Sequence, residues 1–365
     1  MKQFSVYRHL SFVLCFCTFL TGLLSAHAAA PQATEKAREN LLMLLSGEWV
    51  SRALYVVTKL EIADFLQKGP KTSQEIANFT GASSDSLQRV LHMLAGFGIF
   101  EEQDVGTFTN NEASALLSKS HPDSLYALSL FYGEDIHTAL DQLLKSVNSG
   151  TPAFQHAFKQ PVFAYFKEHP ERAALFQEAM KEKSTAVVKS SLLAYNFGKF
   201  NTIYDIGGGY GHFMLALLSK YPHLNGMVFD VPEVIDAIPQ KNGQILQTPS
   251  KLYAGDFFDA IPKGADAYLL KSVLHDWDDA KAEQILKNCY LAMDQSSRLL
   301  IVEVVLLPKD QSLYANCMDV LMLAITGGKE RSLDSFSKML DKAGFVIEHI
   351  TPTSTEFSII EAKKK

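Results

Sequence analysis

The chain has 365 residues, of which 47% are hydrophobic and 20% charged, and its formal net charge is −6. That length gives room for two domains and a large core, and the composition is that of a globular enzyme, not of a disordered or fibrous chain. The negative balance makes nucleic acid a poor bulk partner.

The first 28 residues differ in kind. Lys2, Arg8 and His9 precede an uncharged run from Leu10 to Ser25, and Ala26-His27-Ala28 follows. A basic start, a short apolar run and an Ala-x-Ala site describe a secretory signal peptide. Residues 1–28 are therefore expected to be removed, leaving a periplasmic or secreted protein. Left uncleaved, the segment would contact a membrane as an anchor with the catalytic domain in the cytosol, although the run is short for a span. Cys289 and Cys317 lie in helical contexts beside apolar residues. Both are expected to be buried small hydrophobes, not disulfide partners or metal ligands.

Helices are expected over residues 36–68, where Leu41, Leu42, Leu44 and Leu45 open an apolar face that Leu54, Val57, Ile62 and Phe65 continue. Gly69-Pro70 ends the run, and Thr72 with Glu75 makes a capping box. A helix to Phe79, a turn at Gly81 and a helix from Ser84 to Ala95 come next. Ile99-Phe100 and Thr107–Thr109 flank Asp104-Val105-Gly106 as a hairpin. Helix, turn, helix, hairpin is a winged-helix pattern, placed in a first domain over residues 29–135. Its second helix lacks the positive face that phosphates require, so the apolar helices before it point to dimerisation, not to DNA.

Residues 112–200 continue as helices, with Phe163, Tyr165, Phe166, Phe176 and Met180 near helical spacing. Core packing is enough to explain most of these five. From Thr202 strands and helices alternate: strands are expected at 202–206, 227–230, 251–254, 267–270 and 299–305. Such alternation implies parallel strands with crossover helices, an α/β fold occupying residues 136–365. The last two strands, 345–350 and 357–361, are joined without a helix and should form an antiparallel hairpin.

Chemistry gathers at the strand ends. Asp205-Ile206 leads into Gly207-Gly208-Gly209-Tyr210-Gly211, and the next strand ends in Asp230. Glycines let the main chain approach a ligand, and an acid at the second strand's end can accept from ribose hydroxyls. Asp256 and Phe257 follow the third strand, where a carboxylate and a ring can meet an adenine; read alone, Asp256 also suits a turn cap. Lys271 ends the fourth strand and His275-Asp276-Trp277 follows it. A histidine there can act as a general base near neutral pH, or as a structural histidine bonded to a carbonyl. Glu303, within the apolar fifth strand, and Glu330, in Gly327-Gly328-Lys329-Glu330-Arg331, are candidate acids to orient it. A lysine or arginine partner is the plainer reading of Glu303.

With Asp-Ile-Gly-Gly-Gly-Tyr-Gly, Phe-Asp230-Val-Pro, Gly-Asp256-Phe-Phe, Leu-His275-Asp-Trp, Glu303 and Gly-Gly-Lys-Glu330-Arg in this order, residues 36–363 resemble a known family. It is that of the S-adenosylmethionine-dependent O-methyltransferases of the plant caffeic acid and animal acetylserotonin type. The resemblance implies a class I methyltransferase sheet ending in an antiparallel hairpin, an N-terminal winged-helix domain that makes a homodimer, and a small aromatic acceptor bearing a hydroxyl. It places Gly207 and Gly209 at the methionine part of S-adenosylmethionine, Asp230 at the ribose, and Asp256 and Phe257 at the adenine. It sets Ser184 and the Lys271 backbone beside the cofactor. Met180 and Met322 match residues lining the acceptor pocket, and Phe176 and Asp276 are counted with them. His275 matches the catalytic base, with Glu303 and Glu330 flanking it. A methyl carried on a sulfonium needs no metal.

Two other functions compete. A methyltransferase fold serving as a binding or regulatory module would fail to bind S-adenosylmethionine or to turn it over. A nicotinamide-dependent oxidoreductase would leave Asp256, His275 and Glu303 together unexplained.

Overall fold

The computed structural model describes residues 31–238, 251–307 and 312–365. The expected signal segment at 1–28 lies outside them. Residues up to Trp49 and residues from Val50 onward form separate compact units.

The first unit carries helix α1 (Pro31–Leu45) and the start of α2 (Gly47–Lys59). By length and composition alone the helical run Thr34–Lys59 is long and apolar enough to cross a membrane. Leu41, Leu42, Met43, Leu44, Leu45 and Trp49 are exposed.

The second unit begins with a small helical body. Strand β1 (Lys71–Thr72) leads into α3 (Ser73–Thr80), whose start is the expected capping box. Glu75 N donates to Thr72 Oγ1 at 3.2 Å, and Thr72 N donates to Glu75 Oε2 at 2.8 Å. Gly81, with φ 73°, closes the helix in the left-handed conformation that glycine adopts readily. Helix α4 (Ser84–Gly96) and a hairpin of β2 (Glu101–Asp104) and β3 (Thr107–Thr109) follow. The hairpin starts later than the sequence suggested. Phe100 takes a left-handed φ of 70° and is buried, so it turns the chain and does not extend it. Leu87, Leu91 and Leu94 of α4 pack with Ile76, Phe100 and Phe108 as the core of this body.

A helical layer comes next: α5 (Tyr126–Phe131), a π-helical turn at Tyr132–Ile136, α6 (Val162–Glu168) and the long α7 (Pro170–Ala194). Glu182 of α7 caps α5 by accepting from Ala127 N at 3.1 Å and Leu128 N at 2.8 Å. Arg172 of α7 pairs with Asp135 in the π-helical turn. These polar ties fix α7 against the layer that will wall the site.

The main sheet has eight strands: β4 (Thr202–Ile206), β5 (Asn225–Asp230), β6 (Leu252–Ala254), β7 (Ala267–Lys271), β8 (Arg298–Leu306), β9 (Arg331–Ser332), β10 (Phe345–Pro352) and β11 (Phe357–Lys364). Their order is β10-β11-β8-β7-β4-β5-β6, with β9 parallel to the end of β8. Strands β4 to β8 pair in parallel, while β11 runs antiparallel between β8 and β10, the hairpin expected from the helix-free connection. The two-residue β9 was not foreseen. Side chains alternate between faces: Leu269, Leu300 and Val302 pack on one side, and Leu270, Leu299 and Ile301 on the other. Both faces are covered, which is why these strands read as continuous apolar runs. Helices α8 (His212–Lys220), α9 (Asp279–Ala292), α10 (Leu313–Ile325) and α11 (Leu333–Lys342) complete the fold. Cys289 is buried as expected, but Cys317 is exposed, because it falls on the outer face of α10.

The chain leaves β4 toward β5 on one side and has β7 on the other. That reversal is a topological switch point, where the carboxyl ends of parallel strands open a crevice.

Candidate active site

The glycine loop fills that crevice. Gly207 and Gly209 have φ of 70° and 56°, a region that costs other residues about 1 kcal/mol or more. A Cβ on Gly207 would stand 2.9 Å from Val273 Cγ2. The loop is held from beneath by Asp230, whose Oδ2 accepts from Gly209 N and Oδ1 from Val231 N, both at 2.8 Å. Burial pushes the Asp230 carboxyl up to about 6, although the two N–H groups pull the other way. Asp205, under the same loop, is pushed to about 7 by burial.

Asp256 Oδ1 accepts from Phe258 N at 2.8 Å, so it does cap its turn; it also lines the cavity with Phe257. Asn288 on α9 pins this turn by donating to the carbonyls of Phe257 and Phe258 at 2.8 and 2.9 Å. Lys271 Nζ donates to Ser184 Oγ at 2.7 Å, tying the end of β7 to α7.

The segment after β7 is built around His275. Ser272 sits at φ 54°, a strained setting for a residue with a side chain, and it turns the chain out of the sheet. Glu303 on β8, fully buried, accepts from Val273 N and Leu274 N at 2.9 Å each. Its other oxygen lies 3.6 Å from His275 Nδ1, and Glu330 Oε1 lies 2.9 Å from the same nitrogen. Among the described residues no lysine or arginine pairs with Glu303, which removes the plainer reading of it. Burial raises both carboxyls, Glu330 to about 7. Asp276 Oδ1 is 3.8 Å from Nε2, and burial raises its carboxyl to about 6. With Glu330 ionised, Nδ1–H donates to it and the Nε2 lone pair is free to take a proton. His275, Glu303 and Glu330 offer ligand atoms within 4.8 Å of one another, close enough to share a cation. Here Glu303 Oε1 is already taken by two amides and Glu330 Oε1 by the ring.

A clamp absent from the sequence reading holds this segment. Lys329 N donates to His275 O at 2.9 Å. The buried Arg331 donates to Leu274 O and Trp277 O, both at 2.7 Å, and so brackets the histidine. A Cβ on Gly328 would stand 1.9 Å from His275 O, so the two backbones touch. In the run Gly328-Lys329-Glu330-Arg331 the residues around the acid thus hold the His275 segment in place.

A cavity of about 450 Å³ runs from the glycine loop to His275. Gly207, Gly209, Asp230, Asp256 and Phe257 line one end. Lys271, Ser184, His275, Asp276, Met180, Met322 and Phe176 line the rest. Glu303 and Glu330 are not in its wall; they stand behind His275 and reach the cavity through it. The far wall is aromatic: Phe176 stacks on Phe166 with centroids 4.7 Å apart, and Phe131 meets Phe176 edge-on at 5.5 Å. One end is thus lined by the glycine loop and two carboxyls, the other by aromatic rings, and His275 stands between them.

Comparison with known proteins bears on this arrangement. A family model described as an O-methyltransferase domain matches residues 140–346, and one described as an O-methyltransferase dimerisation domain matches residues 42–120. The phenazine O-methyltransferase PhzM of Lysobacter antibioticus is 36% identical over 324 residues, covering 88% of this chain and 95% of that protein. The mitomycin biosynthesis 6-O-methyltransferase of Streptomyces lavendulae is 35% identical over 327 residues, covering 88% and 92%. The crystal structure of human N-acetylserotonin methyltransferase in complex with SAM aligns with a TM-score of 0.83 at 25% identity, over 92% of this chain and 99% of that one.

Proposed function

Because the chain belongs to the S-adenosylmethionine-dependent O-methyltransferases, we propose that it methylates a phenolic hydroxyl of a small aromatic acceptor, with His275 as general base. The observation that carries this reading is His275 itself. Its Nδ1 faces Glu330 at 2.9 Å, and its ring lines the cavity between the glycine loop and the aromatic wall.

The glycine-loop end fits S-adenosylmethionine. Asp230 would accept from the ribose hydroxyls, Asp256 and Phe257 would take the adenine, and the cradle at Gly207 and Gly209 would admit the methionine part. Bound there, the cofactor supplies a methyl group already activated on a sulfonium.

The remaining work belongs to this chain. The aromatic wall orients the acceptor ring and excludes water. His275 Nε2 takes the hydroxyl proton, and the electron pair freed on oxygen becomes the nucleophile. A phenol with pKa of about 10 is within reach of an imidazole, whereas an aliphatic alcohol is much harder to deprotonate. Glu330 and Glu303 stabilise the imidazolium that forms, acting through Nδ1. The exposed apolar residues Leu41 to Leu45 and Trp49, all but Leu41 inside the region matched by the dimerisation model, support a homodimer that buries them.

The test is to incubate the full chain with S-adenosylmethionine and a panel of phenols, catechols and hydroxyindoles, reading single-methyl mass gains. Product with wild type and a loss on the order of 10²–10⁴ in rate for His275→Ala support the reading. Cofactor binding without product from any acceptor, or unchanged turnover in that variant, overturns it.

A further inference from the structure

Lys183 lies on α7 between Met180 of the acceptor wall and Ser184, which is bonded to Lys271. It lines the same cavity as His275 and Asp276. Among the described residues it has no hydrogen bond, and no carboxylate within 4.0 Å forms an ion pair with it. Lys183 is half-buried, with its ammonium turned to the cavity, and the partial loss of water pulls its pKa down.

The carboxyls whose fields reach it, Glu330, Asp276 and Glu303, are the ones grouped about His275. None of them is its partner. Glu303 is held by the amides of Val273 and Leu274, and Glu330 by His275. Burial also biases all three toward their neutral forms. The other cavity lysines are engaged: Lys167 pairs with Glu233 at 2.8 Å, Lys181 with Glu178 at 3.3 Å, and Lys271 bonds Ser184.

We propose that Lys183 is the specificity-determining cation of the acceptor pocket, and that the enzyme takes hydroxyaryl acceptors carrying an anionic oxygen beside the hydroxyl that is methylated. The proposal rests on the methyltransfer reading and names the acceptor class within it. A half-buried ammonium beside the aromatic wall gains a charge-assisted contact from such an oxygen. A neutral analogue would leave the cation unpaired, which is how a polar site rejects a near-isostere. The anionic oxygen can belong to a ring carboxylate or to a second, acidic phenol, and two arms of one experiment separate these sources.

In the carboxylate arm, calorimetry measures 1-hydroxy-2-naphthoate against 1-hydroxy-2-naphthamide in wild type, Lys183→Met and Lys183→Arg. In the phenolate arm, absorbance reads the ionised fraction of bound 4-nitrocatechol in the same proteins. S-adenosylmethionine affinity, expected to be unchanged in both variants, controls for folding. An anion preference of about tenfold or more in wild type, lost in Lys183→Met and kept in Lys183→Arg, assigns the carboxylate source. A larger ionised fraction of nitrocatechol in wild type and Lys183→Arg than in Lys183→Met assigns the phenolate source. No preference in the first arm together with equal ionisation in the second overturns the proposal. Both arms read binding, so a failure of methyl transfer with the Lys183-dependent preference intact would count against the reaction and not against this site.

Discussion

His275 Nδ1 stands 2.9 Å from Glu330 Oε1, and Glu330 is itself anchored by its backbone amide, which donates to Asp319 Oδ1 on α10 at 2.9 Å. The proposed base is therefore aligned by a carboxyl that burial has made hard to ionise.

That tension gives a prediction for Glu330→Gln. Burial raises the Glu330 pKa from 4.5 to about 7, so between those values the folded protein holds a proton that the unfolded chain releases. Stability then falls as pH rises through that window and stays lower above it. Glutamine removes the ionisation yet can still accept from Nδ1–H. The variant should be more stable than wild type by about 1–3 kcal/mol near pH 8 and about equal near pH 5. Its rate should drop by about 10- to 100-fold, because a neutral partner stabilises the imidazolium less. Urea midpoints at the two pH values, with rates at the higher one, test both halves; a pH-independent stability difference would contradict the first.

Gly328→Ala should separate catalysis from cofactor binding. The added Cβ would lie 1.9 Å from His275 O and 2.5 Å from the Asp276 carbonyl carbon, and backbone atoms cannot swing aside as a flexible side chain can. Either the Gly328 turn or the His275 segment must move. The expected cost is about 1–3 kcal/mol of stability. Displacing a base by about 1 Å should lower the rate about 100-fold. Affinity for S-adenosylmethionine should change much less than the rate, since none of the atoms that a Gly328 Cβ would meet belongs to the glycine loop. Near-normal turnover would show that the clamp does not position the base.

Asp230→Asn tests the nucleoside end. The carboxylate now serves two amides, Gly209 N and Val231 N, one on each oxygen. Asparagine offers one acceptor oxygen and sets an N–H₂ against one of those donors. Cofactor affinity should fall by about 10- to 100-fold, in line with a lost charge-assisted bond. Isothermal calorimetry checks it, and equal affinity would remove Asp230 from the cofactor site.

The parts of the site legible in the sequence are those whose geometry is local. The loop from Asp205 to Gly211 and the acid at Asp230 share one strand-helix-strand unit, so their spacing carries their arrangement. Thr72 and Glu75 are three residues apart, and their reciprocal bonds follow from that. His275 could be placed at a strand end, but its choice between base and structural histidine depended on Glu330, 55 residues away. Arg331 meets Leu274 and Trp277 across a similar distance, through a two-residue strand that no periodicity reveals. Lys183 was passed over because helical spacing says which residues share a face and not which face meets a cavity. Cys317 was misplaced for the same reason.

The two halves of the cavity are built by different means. His275 and Glu330 hang on loops at the ends of a rigid sheet and Glu303 stands within β8, each tied down by bonds to backbone groups, whereas Phe131, Phe166, Phe176 and Met180 come from helices. Substitutions in the helical wall can therefore reshape which molecules fit while leaving the bonds that hold His275 in place. A lineage built on this plan can drift in acceptor range by single steps while its chemistry stays fixed.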